Sequence, residues 1–216
     1  MIVETGTRAV AEGLVGGRLC LDFANTMHGR LSAEPRDDLT DYAGLVSWAQ
    51  RASVLSAREA QVLQREVARQ QKGARAVLVR AKILRDALYE IFSAVANKRT
   101  PPRSELSALN KELSNSIRHL QLSYREGGFS LGWDGEKEAL DRLLWPIAHS
   151  AQNLLTTDEL SAVKVCELEQ CTWLFVDTSK NHSRRWCDMK GCGNRAKFRR
   201  YYERNRAAGV TSSSTK

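Results

Sequence analysis

Four cysteines in the last quarter of the chain, Cys166, Cys171, Cys187 and Cys192, form two C-x4-C pairs separated by fifteen residues. Each pair can place two thiolates on one ion, and an intervening hairpin can bring the pairs together around a tetrahedral Zn2+. The four-residue spacing sits at the upper limit of the usual range for such pairs. Buried free thiols and disulfides are the alternatives. A chain of 216 residues can bury a sizeable core without covalent staples, and no apolar signal segment opens it, so a disulfide framework is disfavoured. Free thiols need no paired, equal spacing, so Zn2+ is the expected cofactor. Four thiolates close the coordination shell and leave no position for an activated water. His28, His119, His149 and His182 are scattered, with no spacing that suggests a hydrolytic metal site or a Cys-His pair. No enzyme is expected.

The residues after Cys187 continue the metal argument. Gly191 and Gly193 suit a tight metal knuckle, and Asn194 is placed to cap a helix that leaves it. On that helix Lys197, Arg200 and Arg204 fall on one stripe, flanked by Arg199 and Arg206, while Phe198, Tyr201, Tyr202 and Asn205 lie on adjoining faces. Arg184 and Arg185 arrive from the segment before Cys187, and Arg195 follows Asn194. From residue 161 onward there are twelve Lys and Arg against five Asp and Glu, so this stretch holds +7 of the chain's net +8. Zn2+ with four thiolates is formally about −2, which leaves about +5 on a small rigid module. A solvated basic tail is the plain alternative, but a cationic surface fixed by a metal suits a polyanion. Phosphate contacts supply affinity without sequence preference, and Arg forks can read guanine edges in a major groove. Arg184, Arg185, Arg195, Lys197, Arg199, Arg200 and Arg204 are the candidate nucleic-acid contacts. DNA is the expected partner, with RNA or a protein partner as the alternative, and charge does not choose between the two nucleic acids. Trp173, Phe175 and Trp186 read as a miniature core over the metal, with stacking on bases as their other use.

These residues carry a resemblance. Cys166 to Arg200, with Trp173-Leu-Phe-Val-Asp177-Thr-Ser179 between the pairs and Cys192-Gly-Asn-Arg195 after them, resembles the CGNR-type zinc finger of bacterial proteins. Leu19-Cys-Leu-Asp22-Phe-Ala-Asn25-Thr26 is similar to the opening motif of the ABATE domain, which commonly precedes that finger. The resemblance implies zinc on the four cysteines and a DNA-binding, stress-induced transcription regulator.

The remaining elements must position this module. Residues 19–26 read as a short strand ending near Asp22 and Asn25, whose side chains satisfy local backbone or, with Arg30, line a ligand pocket. Leu39, Tyr42, Leu45, Val46 and Ala49 mark one helical face, and Ser56-Ala-Arg-Glu59 resembles a capping box that opens another helix. A long helix runs from about 74 to 97, carrying Val77, Ala81, Leu84, Leu88, Ile91 and Val95, and stops before Pro101-Pro102. The Arg and Lys on these helices read as solvated surface. A fourth helix is expected over 104–117, and 119–124 and 129–133 flank Gly127-Gly128 as a hairpin to which the 19–26 strand could add. A last long helix spans about 136–155, interrupted at Trp145-Pro146, and a short one follows from Asp158.

The expected fold is α+β and mainly α: a helical N-terminal domain (1–160) with a short strand and a hairpin, then a four-cysteine zinc-finger module (161–208) and a disordered tail (209–216). Cys20, among apolar neighbours, reads as a buried small hydrophobe. No eighteen-residue apolar run could span a membrane, so a cytoplasmic protein is expected. A single finger buries a modest area on DNA, which makes a homodimer useful for specificity. The N-terminal domain would then sense a ligand or join two copies.

Overall fold

A computed structural model describes residues 14–125, 127–135 and 138–211, and at 125 and 207–211 the backbone alone. The chain is mainly helical, with three two-stranded antiparallel pairs and the cysteine module at its end, as the sequence predicts. Its elements are α1 (Leu19–Ala24), β1 (Met27–His28), β2 (Arg36–Asp37), α2 (Tyr42–Arg51), α3 (Ala57–Arg69), α4 (Gln71–Ala96), α5 (Arg103–Ile117), β3 (Leu120–Arg125), β4 (Gly128–Trp133), α6 (Trp145–Leu155), β5 (Val163–Val165), β6 (Leu174–Val176) and α7 (Asn194–Thr211). A 3-10 turn, Asp158–Ala162, joins α6 to β5.

Local chemistry explains most boundaries. Ser56 and Glu59 form the expected capping box: the Glu59 amide donates to Ser56 Oγ (3.3 Å) and the Ser56 amide donates to Glu59 Oε2 (2.8 Å). Asp41 caps α2 by accepting the Gly44 amide at 2.7 Å. Gly127, at φ +80°, supplies the left-handed residue of the β3–β4 turn, where Arg125 pairs with Gly128.

Four expectations change. Residues 19–24 form a helix rather than a strand, and the β3–β4 pair stays two-stranded. Cys20, Leu21, Phe23 and Ala24 are all fully buried, so every side of this short segment faces protein and no helical stripe could be seen in the sequence. Pro146 stands in the first turn of α6 and starts that helix instead of bending a longer one, because its missing N–H is free of cost there. Of the basic residues on α4, Arg85 is buried and Arg80 only part-exposed, and both are ion-paired. Arg85 is 2% exposed and donates from Nη1 to Asp37 Oδ1 (2.6 Å) and from Nε to Asp86 Oδ1 (3.1 Å). Arg80 bridges Glu112 on α5 (2.7 Å) and Asp141 (3.1 Å). Of the tail expected to be disordered, 209–211 continue α7 and 212–216 lie outside the described residues.

The core does not stop where the cysteine module begins. Leu174 and Val176 of β6 and Val163 of β5 belong to the same buried cluster as Leu21, Phe23, Leu88 and Ala151. Phe175, between them, points the other way into a second cluster with Cys166, Cys187 and Cys192. The two-residue period of a strand thus makes β6 a wall shared by the helical core and the metal site. Asn25 fastens this wall to the helical part. Its Nδ2 donates to the Leu174 carbonyl (2.8 Å), and its Oδ1 accepts the Leu174 amide (2.8 Å). The Val176 amide donates to the Gly16 carbonyl at 2.9 Å, so residues before α1 add to the same edge.

Asn25 is 4% exposed, and truncating it would leave a buried amide and a buried carbonyl of Leu174 without partners. Each such group costs about 1–3 kcal/mol. Asn25→Ala should therefore lower the stability of the zinc-loaded chain by about 3 kcal/mol in urea unfolding, with the midpoint reduced and the slope unchanged. A loss below about 0.5 kcal/mol, within the usual range for surface changes, would show that this amide is not a fastening point.

Candidate metal centre and cationic helix

The metal site is built from two chain reversals. The first follows β5: Cys166 donates its amide to the Trp173 carbonyl (2.8 Å), and the Cys171 amide donates to Leu168 (2.7 Å), which folds the segment between them into a loop. Thr172 closes this loop at φ +58°, a left-handed conformation that a β-branched residue rarely takes. The second is the wide turn Met189–Gly193. Asp188 caps it, accepting the Gly191 amide at 2.6 Å, and the Gly193 amide returns to the Asp188 carbonyl at 2.9 Å. A Cβ at Gly191 would meet at 3.0 Å the same Asp188 Oδ2 that accepts its amide, so the capping carboxylate leaves little room for a side chain there. Asn194 was expected as the helix cap. It is instead the first residue of α7, donating to the Lys190 carbonyl (3.0 Å), and the capping falls to Asp188 one turn earlier.

The four cysteine sulfurs lie within 4.8 Å of one another, with Cys171 to Cys187 and Cys187 to Cys192 both at 3.6 Å. A tetrahedron with Zn–S bonds of about 2.3 Å has edges of about 3.8 Å, so the donor set fits the ion in number, chemistry and spacing. Cys166, Cys187 and Cys192 are buried and Cys171 is half-buried. Left to themselves these thiols compete for protons. Cys166 is held down, first by the hydrogen bond from Cys171 and then by that from Cys187. Cys171 is pushed up, chiefly because its proton serves Cys166, and Cys187 is raised for the same reason. A divalent cation reverses this and lets all four ionise. Phe175, fully buried, with Trp173, Trp186 and Leu168, forms the apolar cover expected over the site.

Seven cations were expected to face nucleic acid, and they divide into two groups. Four have local partners. Arg184 donates from Nε to the Trp186 carbonyl (2.9 Å) and from Nη2 to the Cys187 carbonyl, with its guanidinium 4.6 Å from the Phe175 ring centre. Arg195 reaches Cys192 Sγ at 3.4 Å, and Arg185 pairs with Glu167. Arg199 pairs with Glu169 (2.7 Å) and Glu203 (2.9 Å). Among the described residues no carboxylate pairs with Lys197, Arg200 or Arg204, all exposed on α7.

Asp22, Asn25 and Arg30 each have a partner within the fold. Asp22 accepts the Gly16 amide (2.7 Å), Asn25 holds Leu174, and Arg30 pairs with Asp86 (2.9 Å) over the Tyr89 ring.

One residue escaped the sequence reading. Asp177, without accessible surface, accepts from Lys164 Nζ (2.6 Å), the Ser179 amide (3.0 Å) and hydroxyl (2.6 Å), and the Arg184 amide (2.9 Å). It thereby orders the loop that delivers Cys187. The Asp-x-Ser spacing after an apolar strand was the available signal for such a turn. Burial alone would raise this carboxyl, but Lys164, Ser179 and Arg184 outweigh it and hold it well below the usual carboxylate range.

The comparisons with known proteins agree with this architecture. Residues 17–158 match the family profile of ABATE, described as "Putative stress-induced transcription regulator". The chain belongs to the ABATE family. The CGNR zinc finger matches residues 162–205, and with its four-cysteine cluster it makes zinc the cofactor of this ABATE protein. A search of curated proteins finds no match to it. Both ABATE and CGNR are regulator or zinc-finger families rather than enzyme families. No helix of the described residues is long and apolar enough to cross a membrane.

Two outcomes test the site. Zinc analysis should give one ion per chain, and Cys171→Ser should reduce it to a small fraction of that, because a structural site needs all four ligands. Hydrogen exchange in that variant should quicken not only at 166–193 but also at Leu174–Val176 and α1, since β6 is common to both cores. Asp177 gives a pH test. Its folded value is depressed, so the stability it supplies is present above about pH 4 and is lost as pH falls through that folded value. The difference in unfolding midpoint between the parent chain and Asp177→Asn should therefore be constant from pH 5 to 8 and close below pH 4. A gap that stays open at low pH would assign the effect to packing instead of charge.

Proposed function

We propose that this chain is a zinc-dependent DNA-binding transcription regulator in which Cys166, Cys171, Cys187 and Cys192 hold Zn2+ and the ion fixes helix α7 against DNA. The observation that carries this reading is the set of cations on that helix that, among the described residues, no carboxylate neutralises. Lys197 and Arg204 on the outward side, and Arg200 beside the Trp186 ring, stand on an element whose first turn begins two residues after a metal ligand, so their positions are set by the ion. A cationic helix held rigidly can meet phosphates without first being ordered, which a loose basic tail cannot. The family description supports regulation, and the closed four-thiolate shell supports a structural ion rather than a catalytic one. Arg184 and Arg195 act differently: they hold the metal module together and contribute field rather than contacts. The helical N-terminal part would sense a ligand or pair two copies. Val79 and Ile83, one turn apart on α4 and more than half exposed, are where a second copy would find apolar surface.

Binding of the zinc-loaded chain to random-sequence DNA across a salt series tests the reading. The logarithm of affinity should fall linearly with the logarithm of salt, at about 0.9 per phosphate contacted on duplex. Replacing Lys197, Arg200 and Arg204 together by Ala should flatten that slope by about 3, whereas Arg199→Ala, whose cation is already paired, should change it by less than about 1. An unchanged slope in the triple variant, or equal binding after chelation, would sink the assignment.

A further inference from the structure

Helix α7 has two unlike faces. At about 100° per residue, Arg195, Arg199, Arg200 and Glu203 fall on the side that faces the module, where Arg199 meets Glu169 and Arg200 lies over Trp186. The other side gathers Asn194, Lys197, Phe198, Tyr201, Tyr202 and Arg204 around a shallow groove of about 350 Å³. Phe198 is 63% exposed, Tyr201 54% and Tyr202 68%, with the two tyrosine rings edge-on at 5.7 Å. Large apolar side chains scattered singly on a surface need no explanation, but three within five residues of one helix face mark a contact surface.

The charge around these rings selects the occupant. Lys197 and Arg204 flank them, and the nearest acid in sequence, Glu203, is turned away onto Arg199 at 2.9 Å. A second copy docked ring to ring would set Lys197 and Arg204 against their own equivalents, so like charges oppose self-association there. A nucleic acid brings the opposite charge. In a duplex the flat faces of the bases are covered by their neighbours, and aromatic rings gain little from meeting it. In a single strand those faces are open, and each base stacked on an aromatic ring raises affinity roughly tenfold or more. The base-stacking role that the sequence offered to Trp173, Phe175 and Trp186 is closed to Phe175 by its full burial.

Resting on the nucleic-acid reading above, we infer that the outward face of α7 binds unpaired nucleotides. Phe198, Tyr201 and Tyr202 stack on successive bases, and Lys197 and Arg204 hold the phosphates beside them. The ligand class is thus a single-stranded segment, such as a melted stretch of DNA, in preference to an intact duplex.

The test is fluorescence anisotropy of the full zinc-loaded chain with a twelve-nucleotide oligo-dT, the matching oligo-U and a duplex of the same length. The parent chain should bind at least one of the single strands tenfold or more tighter than duplex. Phe198→Ala with Tyr202→Ala, which leaves charge and zinc ligands untouched, should lose thirtyfold or more on the single strand and stay within about twofold on duplex, with zinc content unchanged. Duplex binding as tight as single-strand binding, or no effect of the double variant on either, would overturn stacking while leaving phosphate binding by α7 intact. Binding to none of the three would overturn the nucleic-acid reading itself. A concentration-dependent dimer in sedimentation that the double variant abolishes, with single-strand affinity unchanged, would give the face to a second copy and overturn the inference.

Discussion

Everything at the C-terminal end of this chain depends on four sulfurs being held closer together than ionised thiols tolerate. Four thiolates within 4.8 Å repel one another strongly, and the protonated alternative leaves them competing for hydrogen bonds. A divalent cation removes the conflict, and the energy of doing so is folding energy for the loops that carry the ligands. The left-handed Thr172, the Asp188-capped turn at Gly191 and the guanidinium of Arg184 on the Cys187 carbonyl all belong to the loops that carry the ligands, and the ion adds to what Asp177 and Asp188 already hold there. Helix α7 inherits its direction from this constraint, because it begins as the second metal turn ends.

The constraint reaches inward through β6. Phe175 covers the sulfurs while Leu174 and Val176, on the opposite side of the same strand, complete the helical core. Asn25 then joins α1 to that strand with the two hydrogen bonds a side-chain amide can offer a backbone. Long-range fixing of this kind is unusual for an Asn, which more often bonds its own neighbours, and it requires full burial to exclude water as a competitor.

Much of this was legible in sequence where the signal is local. The cysteine spacing gave the metal, Ser56 and Glu59 gave a capping box, and the stripe from Val77 to Ile91 gave the long helix. What failed were segments whose surroundings are non-local. Leu19–Ala24, apolar but for Asp22, is enclosed, and an enclosed segment shows neither a two-residue nor a 3.6-residue period. Arg80 and Arg85 looked like surface cations because their acidic partners, Glu112, Asp141 and Asp37, are distant in sequence. The same holds at the site. That α7 is basic could be counted, but which arginines have partners depended on Glu167 and Glu169 in the first metal loop.

The shared strand also bears on how this finger could be moved or inherited. A zinc finger whose apolar residues all face its own metal can be cut out and joined to another protein as a cassette. This one cannot, because Leu174 and Val176 need Leu21 and Phe23 to cover them and the Leu174 backbone needs Asn25. Any new host would have to bring an equivalent of residues 14–26, so the pairing of these two sequence regions in one chain is a requirement of packing.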